Sequence, residues 1–154
     1  VVPLVVSMPL PLYVSTMVQD LYDAIEALPD HSIVLISADY DPTAKPELEP
    51  FHVALLHHLA RKKIRMVMIS LWPAAPPLTD QVVAQVGLVE KYGYVKGVDF
   101  AHLGYKDGRQ IVMESMGNSI RATFPCSAAI LSLHRIGLEP SRTPRGVNEA
   151  TTYF

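Results

Sequence analysis

One cysteine, Cys126, and one tryptophan, Trp72, occur in 154 residues. A single thiol cannot close an intrachain disulfide, so no disulfide framework holds this chain, and the paired Cys and His spacings of zinc sites are absent. Charge is also scarce. Lys and Arg number 13 against 15 Asp and Glu, a formal net charge of −2. Apart from Arg61-Lys62-Lys63 the cations are scattered, and nothing basic points to a nucleic-acid partner. The sequence has no Gly-x-Gly-x-x-Gly and no Gly-x-x-x-x-Gly-Lys-Ser/Thr, which argues against the usual dinucleotide and P-loop sites. The missing Gly-x-Ser-x-Gly elbow makes a serine hydrolase unexpected. No cofactor motif is evident. Long hydrophobic runs are lacking too. The apolar opening up to Val14 is interrupted by Pro3, Pro9 and Pro11, and it is too short and too broken for a membrane-spanning helix. It lacks the positive start of a signal peptide. The first residue is Val1 rather than Met, so a processed or trimmed piece of a longer product is expected.

What remains is a chain of one-domain size with 49% hydrophobic and 18% charged residues, enough apolar material for a real core. Three short apolar runs, Ile33 to Ala38, Ile64 to Ser70 and Val98 to Leu103, read as strands buried on both faces, as in parallel sheets. Helical periodicity lies between them. Ser15 or Thr16 caps a first helix reaching about Leu28, with Val18, Leu21, Tyr22, Ile25 and Leu28 on one stripe. A second helix is expected from Phe51 to Lys62, and a third from Thr79 to Tyr92 with Thr79 or Asp80 as its cap. A short fourth is expected from Gln110 to Met116, ending at Gly117. The alternation predicts an α/β three-layer sandwich, with a central parallel sheet of three or four strands, Rossmann-like in plan. The fourth strand would be Ala128 to Leu133. The organisation is then an apolar lead-in over 1–15, a single α/β domain over 16–133 and a tail over 134–154.

Open parallel sheets bind ligands beyond the carboxyl ends of their strands. Three segments are expected there: Asp39 to Thr43, Ser70 to Pro73, and Gly104 to Gly108. They supply the candidate residues Asp39, Asp41, Ser70, Trp72, Tyr105 and Lys106. Trp72 can line a crevice, although packing under the proline-rich turn is its commoner use. Tyr105 and Lys106 can meet an anion. The histidines carry less. His57 and His58 are adjacent and point about 100° apart on a helix, and neither pairs with His52 at the i, i+4 spacing of a metal site. His102 lies on a strand near the expected ligand edge.

An apolar strand followed by Asp39-Tyr40-Asp41-Pro42-Thr43 resembles motif I of the haloacid-dehalogenase-like phosphatases. That resemblance implies Asp39 as nucleophile and magnesium ligand, Asp41 as general acid/base, Ser70 as a phosphate-binding hydroxyl and Lys106 as the lysine. Magnesium and the lysine would neutralise phosphate oxygens while a carboxylate attacks. The later acidic pair of that family has no clear counterpart after Lys106. The plainer reading makes both aspartates turn and helix caps.

A second resemblance covers more of the chain. Gln19 to Pro29, Val34 to Pro42, Pro46 to Pro50, Ser70 to Pro73 and Leu103 to Lys106 together resemble a family of uncharacterised bacterial and archaeal proteins, in which hydrophobic anchors flank an α/β domain. It implies a membrane-associated protein without an established activity, and no catalytic residues to carry over. The stretch from Cys126 to Phe154 departs from it, as in a truncated or divergent member whose open sheet edge would favour self-association. The expected role is a module that binds a small ligand or a protein partner; the alternative is a magnesium-dependent phosphatase-like hydrolase using Asp39 and Asp41.

Overall fold

The three apolar runs form the strands of one parallel sheet. In the structure, a computed structural model, residues 14–124 and 135–136 are described. Their order is α1 (Thr16–Glu26), β1 (Ile33–Ser37), α2 (Lys45–Arg61), β2 (Arg65–Ser70), α3 (Ala75–Val86), β3 (Phe100–Tyr105), α4 (Arg109–Asn118) and α5 (Ile120–Thr123). The strands stand in the order β1-β2-β3. Ile33 pairs with Arg65 and Ser37 with Ile69, and on the other side Met66 pairs with Phe100 and Met68 with His102. The fold is the expected α/β arrangement with helices between parallel strands. The expected strand at 128–133, the lead-in over 1–13 and nearly all of the tail lie outside the described residues.

Alternation along the strands divides the core. Val34 and Ile36 of β1, Met66 and Met68 of β2 and Phe100 of β3 face α1, α2 and α3, and pack with Ile25, Leu56, Leu59, Val82 and Val86. Both crossover helices lie on this face, as right-handed connections in a monotonic strand order require. Among the described residues the cover of the opposite face is thinner. Val67 and Ala101 meet Ile136, while Ile69 and Leu103 meet Phe124, Met116 and Ile120 of the α4–α5 segment. Leu35 of β1 points to this side and stays 38% exposed.

Several boundaries differ from expectation, and those of α2, α3 and β3 have a backbone reason. Helix α2 starts at Lys45, six residues before Phe51, and contains Pro46 in its first turn and Pro50 within. Pro46 removes an N–H that has no intrahelical partner there in any case, so only Pro50 loses a hydrogen bond. Helix α3 likewise starts at Ala75 with Pro76 and Pro77 in its first turn. Thr79 is therefore not a cap; it is fully buried inside the helix and its hydroxyl donates to the Ala75 carbonyl at 3.2 Å. The same helix stops at Val86 rather than Tyr92, because Gly87 takes the left-handed conformation (φ 69°) and its N–H closes on the Val83 and Ala84 carbonyls. That conformation is natural for glycine and strained for most other residues. Strand β3 runs two residues further than expected. Gly104, at φ 79°, lies where the pairing slips from Met68↔His102 to Ser70↔Tyr105, a bulge that keeps Tyr105 on the ladder.

The asymmetry of the two faces is testable. Leu59→Ala, at a position with no solvent exposure between α2 and the sheet, is expected to cost about 2–5 kcal/mol in urea unfolding. Leu35→Ala is expected to cost less, about 1–2 kcal/mol, because 38% of the residue is already exposed. Equal losses at the two positions would mean that the second face is packed as tightly as the first.

Candidate functional site

The carboxyl ends of the strands carry a tie between β1 and β2. Asp39, exposed just past β1, accepts from the Ser37 hydroxyl at 2.5 Å through Oδ2 and from the Leu71 backbone N–H at 2.5 Å through Oδ1. The Ala38 N–H donates to the Ile69 carbonyl, and on the far side the Lys106 N–H donates to the Ser70 carbonyl, both at 3.0 Å. Asp39 therefore continues the sheet's hydrogen bonding by one side-chain step, where the backbone ladder ends. Asp41 does local work. Its Oδ1 accepts from the Thr43 hydroxyl at 2.5 Å and from the Thr43 and Ala44 backbone N–H groups at 2.9 and 3.1 Å. These donors, the Thr43 hydroxyl foremost, hold its carboxyl below the usual range. This is the Asx turn that leads into α2.

A cleft of about 320 Å³ opens beyond the ends of β2 and β3. It is lined by Leu71, Trp72, Pro73, Ala74, Tyr105 and Asp107. The wall from Leu71 to Ala74 is the tight connection between β2 and the proline-started α3, so the helix start that the sequence conceals is what fixes the cleft. Trp72 is half-buried and Tyr105 is 39% exposed. The Asp107 carboxylate accepts from the Gly108 N–H at 2.8 Å. Of the candidate residues, the structure brings Trp72 and Tyr105 together in this cleft and adds Leu71 and Asp107, which the sequence did not single out. The described lining does not include Asp39, Asp41, Ser70 or Lys106. Ser70 is fully buried, with its hydroxyl unpartnered on the helix-covered side of β2. A second hollow, about 540 Å³, runs along α2 past Lys45, Pro46, Glu49, Pro50, Val53 and Gln85. It is larger but lies away from the strand ends. Lys45 spans it, 3.2 Å from Glu49 and bonded to Gln81 Oε1 at 2.9 Å.

A polar seam runs beneath the strand ends; sequence reasoning singled out Ser70 and the place of His102 but missed His52 and Tyr40. His52 of α2 is only 5% exposed and shares a hydrogen bond of 3.1 Å with the Tyr40 hydroxyl through Nδ1. His102 of β3, with a side chain 7% exposed, places Nδ1 2.9 Å from Asp80 Oδ1 in the middle of α3. The Nε2 atoms of both histidines and the Ser70 hydroxyl are buried and unpartnered. Burial, reinforced by the nearby His102 and opposed by Glu49, lowers the His52 pKa from 6.5 to about 4. Burial also raises the Tyr40 pKa, with Glu49 adding to it. His57 and His58 are ordinary half-buried residues, bonded to the Tyr92 hydroxyl at 2.8 Å and to Glu26 at 2.6 Å. Among the described residues no three His, Cys, Asp or Glu side chains converge to hold a metal ion.

No family model, curated protein or solved structure matches this chain.

The seam predicts acid sensitivity. Above pH 6.5, His52 is neutral whether the chain is folded or not. Between 6.5 and about 4 the unfolded chain binds a proton that the folded one does not, so stability falls as the pH falls. Over that window His52 alone is expected to remove about 3 kcal/mol. Urea unfolding at a series of pH values should show a shallower slope in His52→Gln than in the wild type. An identical slope would mean that His52 titrates freely in the fold.

Proposed function

We propose that this chain is a ligand- or partner-binding α/β module whose contact surface is the cleft beyond the carboxyl ends of β2 and β3. The observation that carries this reading is the cleft's composition. Two aromatic residues and three apolar ones surround a single described carboxylate, at the edge where open parallel sheets present their ligands. Concave, mostly apolar linings with few polar groups suit binding and orientation.

The magnesium-dependent phosphatase is the weaker reading. It needs Asp39 and Asp41 to converge on an open site with Ser70 and Lys106. Against that stand the two hydrogen bonds that engage both Asp39 oxygens, the three that fix Asp41 in its turn and the full burial of Ser70. Membrane association is proposed from the sequence resemblance alone. Among the described residues no helix is long and apolar enough to cross a membrane.

Screening the isotope-labelled chain by NMR against a library of small fragments tests the binding reading. Shifts are expected to concentrate at 71–74 and 105–107, and Trp72→Ala should abolish them while leaving the circular-dichroism melt in place. Shifts that cluster elsewhere, or none at all, would remove the cleft as a binding surface. A parallel measurement separates the phosphatase. Asp39→Ala is expected to lower the melting temperature by a few degrees, with no magnesium-dependent phosphate-ester hydrolysis to lose. Hydrolysis in the wild type that vanishes in Asp39→Asn would reinstate the enzyme.

A further inference from the structure

The turn between β3 and α4 holds a reactive pair. Asp107 is the one aspartate in the sequence that a glycine follows, and both residues are exposed. The Gly108 backbone nitrogen lies 2.8 Å from Asp107 Oδ1, and among the described residues its N–H has no other hydrogen-bond partner. Gly108 is the N-cap of α4. Its carbonyl accepts from the Ile111 and Val112 amides, but its own nitrogen stands outside the helical ladder. We propose that Asp107–Gly108 is a modification site, at which the aspartate converts itself to isoaspartate through a cyclic imide. The Gly108 nitrogen attacks the carboxyl carbon of Asp107 and an N–Cγ bond forms. The hydroxyl of the carboxylic acid and the amide proton leave together as water. One water then opens the imide at either carbonyl. Opening at Cγ restores aspartate. Opening at the main-chain carbonyl frees that group as a carboxylate and leaves the chain running through Cγ. The cycle needs no oxidant, metal or second protein.

Three conditions meet at this pair and fail elsewhere among the described residues. The carboxyl is already folded back on the nitrogen that it must join, so little further ordering is needed. Glycine has no side chain to crowd the ring as it closes. The attacking amide is not held by a backbone bond. Asp41 fails because Pro42 has no N–H with which to attack. Asp20, Asp23 and Asp80 fail because they lie within α1 and α3, where the following amide belongs to the helical ladder. Asn118, which could form the same imide by losing ammonia, is followed by an amide tied to the Ser115 carbonyl at 2.8 Å. Isomerisation at Asp107 lengthens the backbone by one carbon where β3 hands over to α4, and it moves the carboxylate that lines the cleft. The inference follows from the geometry of the turn and holds whether or not the cleft takes a ligand.

Ageing the whole chain tests this. The folded chain is incubated at mildly acidic pH beside the same chain unfolded in guanidinium chloride. The peptide that contains residues 107 and 108 is then followed by liquid chromatography with electron-based fragmentation, which tells the two linkages apart. Isoaspartate at 107 is expected to accumulate in the folded chain at least as fast as in the unfolded one, accompanied by a form one water lighter. Asp107→Glu keeps the charge but must close a larger ring, and it is expected to slow the change by about tenfold or more, with an unchanged circular-dichroism melt before ageing. A folded chain that isomerises more slowly than the unfolded one overturns the proposal, because the fold then protects the pair instead of aligning it. An Asp107→Glu variant that changes at the wild-type rate also overturns it, as does isoaspartate that appears first at another residue.

Discussion

Strand β2 is the element on which every other depends. Both of its edges are hydrogen-bonded, to β1 and to β3, and from Met66 to Ser70 every residue is buried. Its methionines face the three-helix layer, while Val67 and Ile69 face the thinner one. A strand in this position has no solvent-facing row in which to place polar side chains, which accounts for its unbroken apolar run. Of the two polar side chains in the run, Arg65 stands half-buried at its start and Ser70 comes at its end, where the ladder gives way to the cleft wall.

Beyond β2, polar contacts at the carboxyl edge add to the small apolar cluster of Ala38, Tyr40 and Leu78. Asp39 links the ends of β1 and β2, Asp41 shapes the entry to α2, and Asp80 reaches His102 across from α3. Beneath them His52 and Tyr40 form a buried pair in which one imidazole nitrogen is left unpartnered. Buried groups in that condition cost stability, and natural folds carry such costs most often near functional sites. Here the cost lies directly under the edge that holds the cleft. The seam and the cleft are separate in their residues but share the ends of β2 and β3 as common support.

Much of the fold was legible because strands buried on both faces leave a strong one-dimensional trace. The runs at Ile33 and Ile64 gave β1 and β2 to within a residue, the run at Val98 gave β3 two residues early, and the alternation with helices gave the parallel sheet. The starts of α2 and α3 were not legible, because proline has opposite meanings in a helix interior and in its first turn, whereas the Ser15 cap of α1 was. Pro46, Pro76 and Pro77 read as loop, although each occupies a position where a missing N–H costs nothing. The same misreading hid how Leu71 to Ala74 builds the cleft wall. Trp72 and Tyr105 were found from their place after strands; Asp107 was not, for lack of a partner in sequence. His52 was passed over because its burial is set by α2 lying on the sheet, and no local spacing records that.

The strand order has a kinetic consequence. The partners that join β1 to β2 lie 32 residues apart, as for Ile33 and Arg65, and those that join β2 to β3 lie 34 apart, as for Met66 and Phe100. The entropy of closing a loop grows only with the logarithm of its length, so the two parallel pairings cost the unfolded chain almost the same. Neither half has a head start from proximity, and both must recruit the same strand. The order of assembly therefore falls to the crossover helices: whichever of α2 and α3 first buries its apolar stripe against β2 sets the route, and the other half is added to a template already in place.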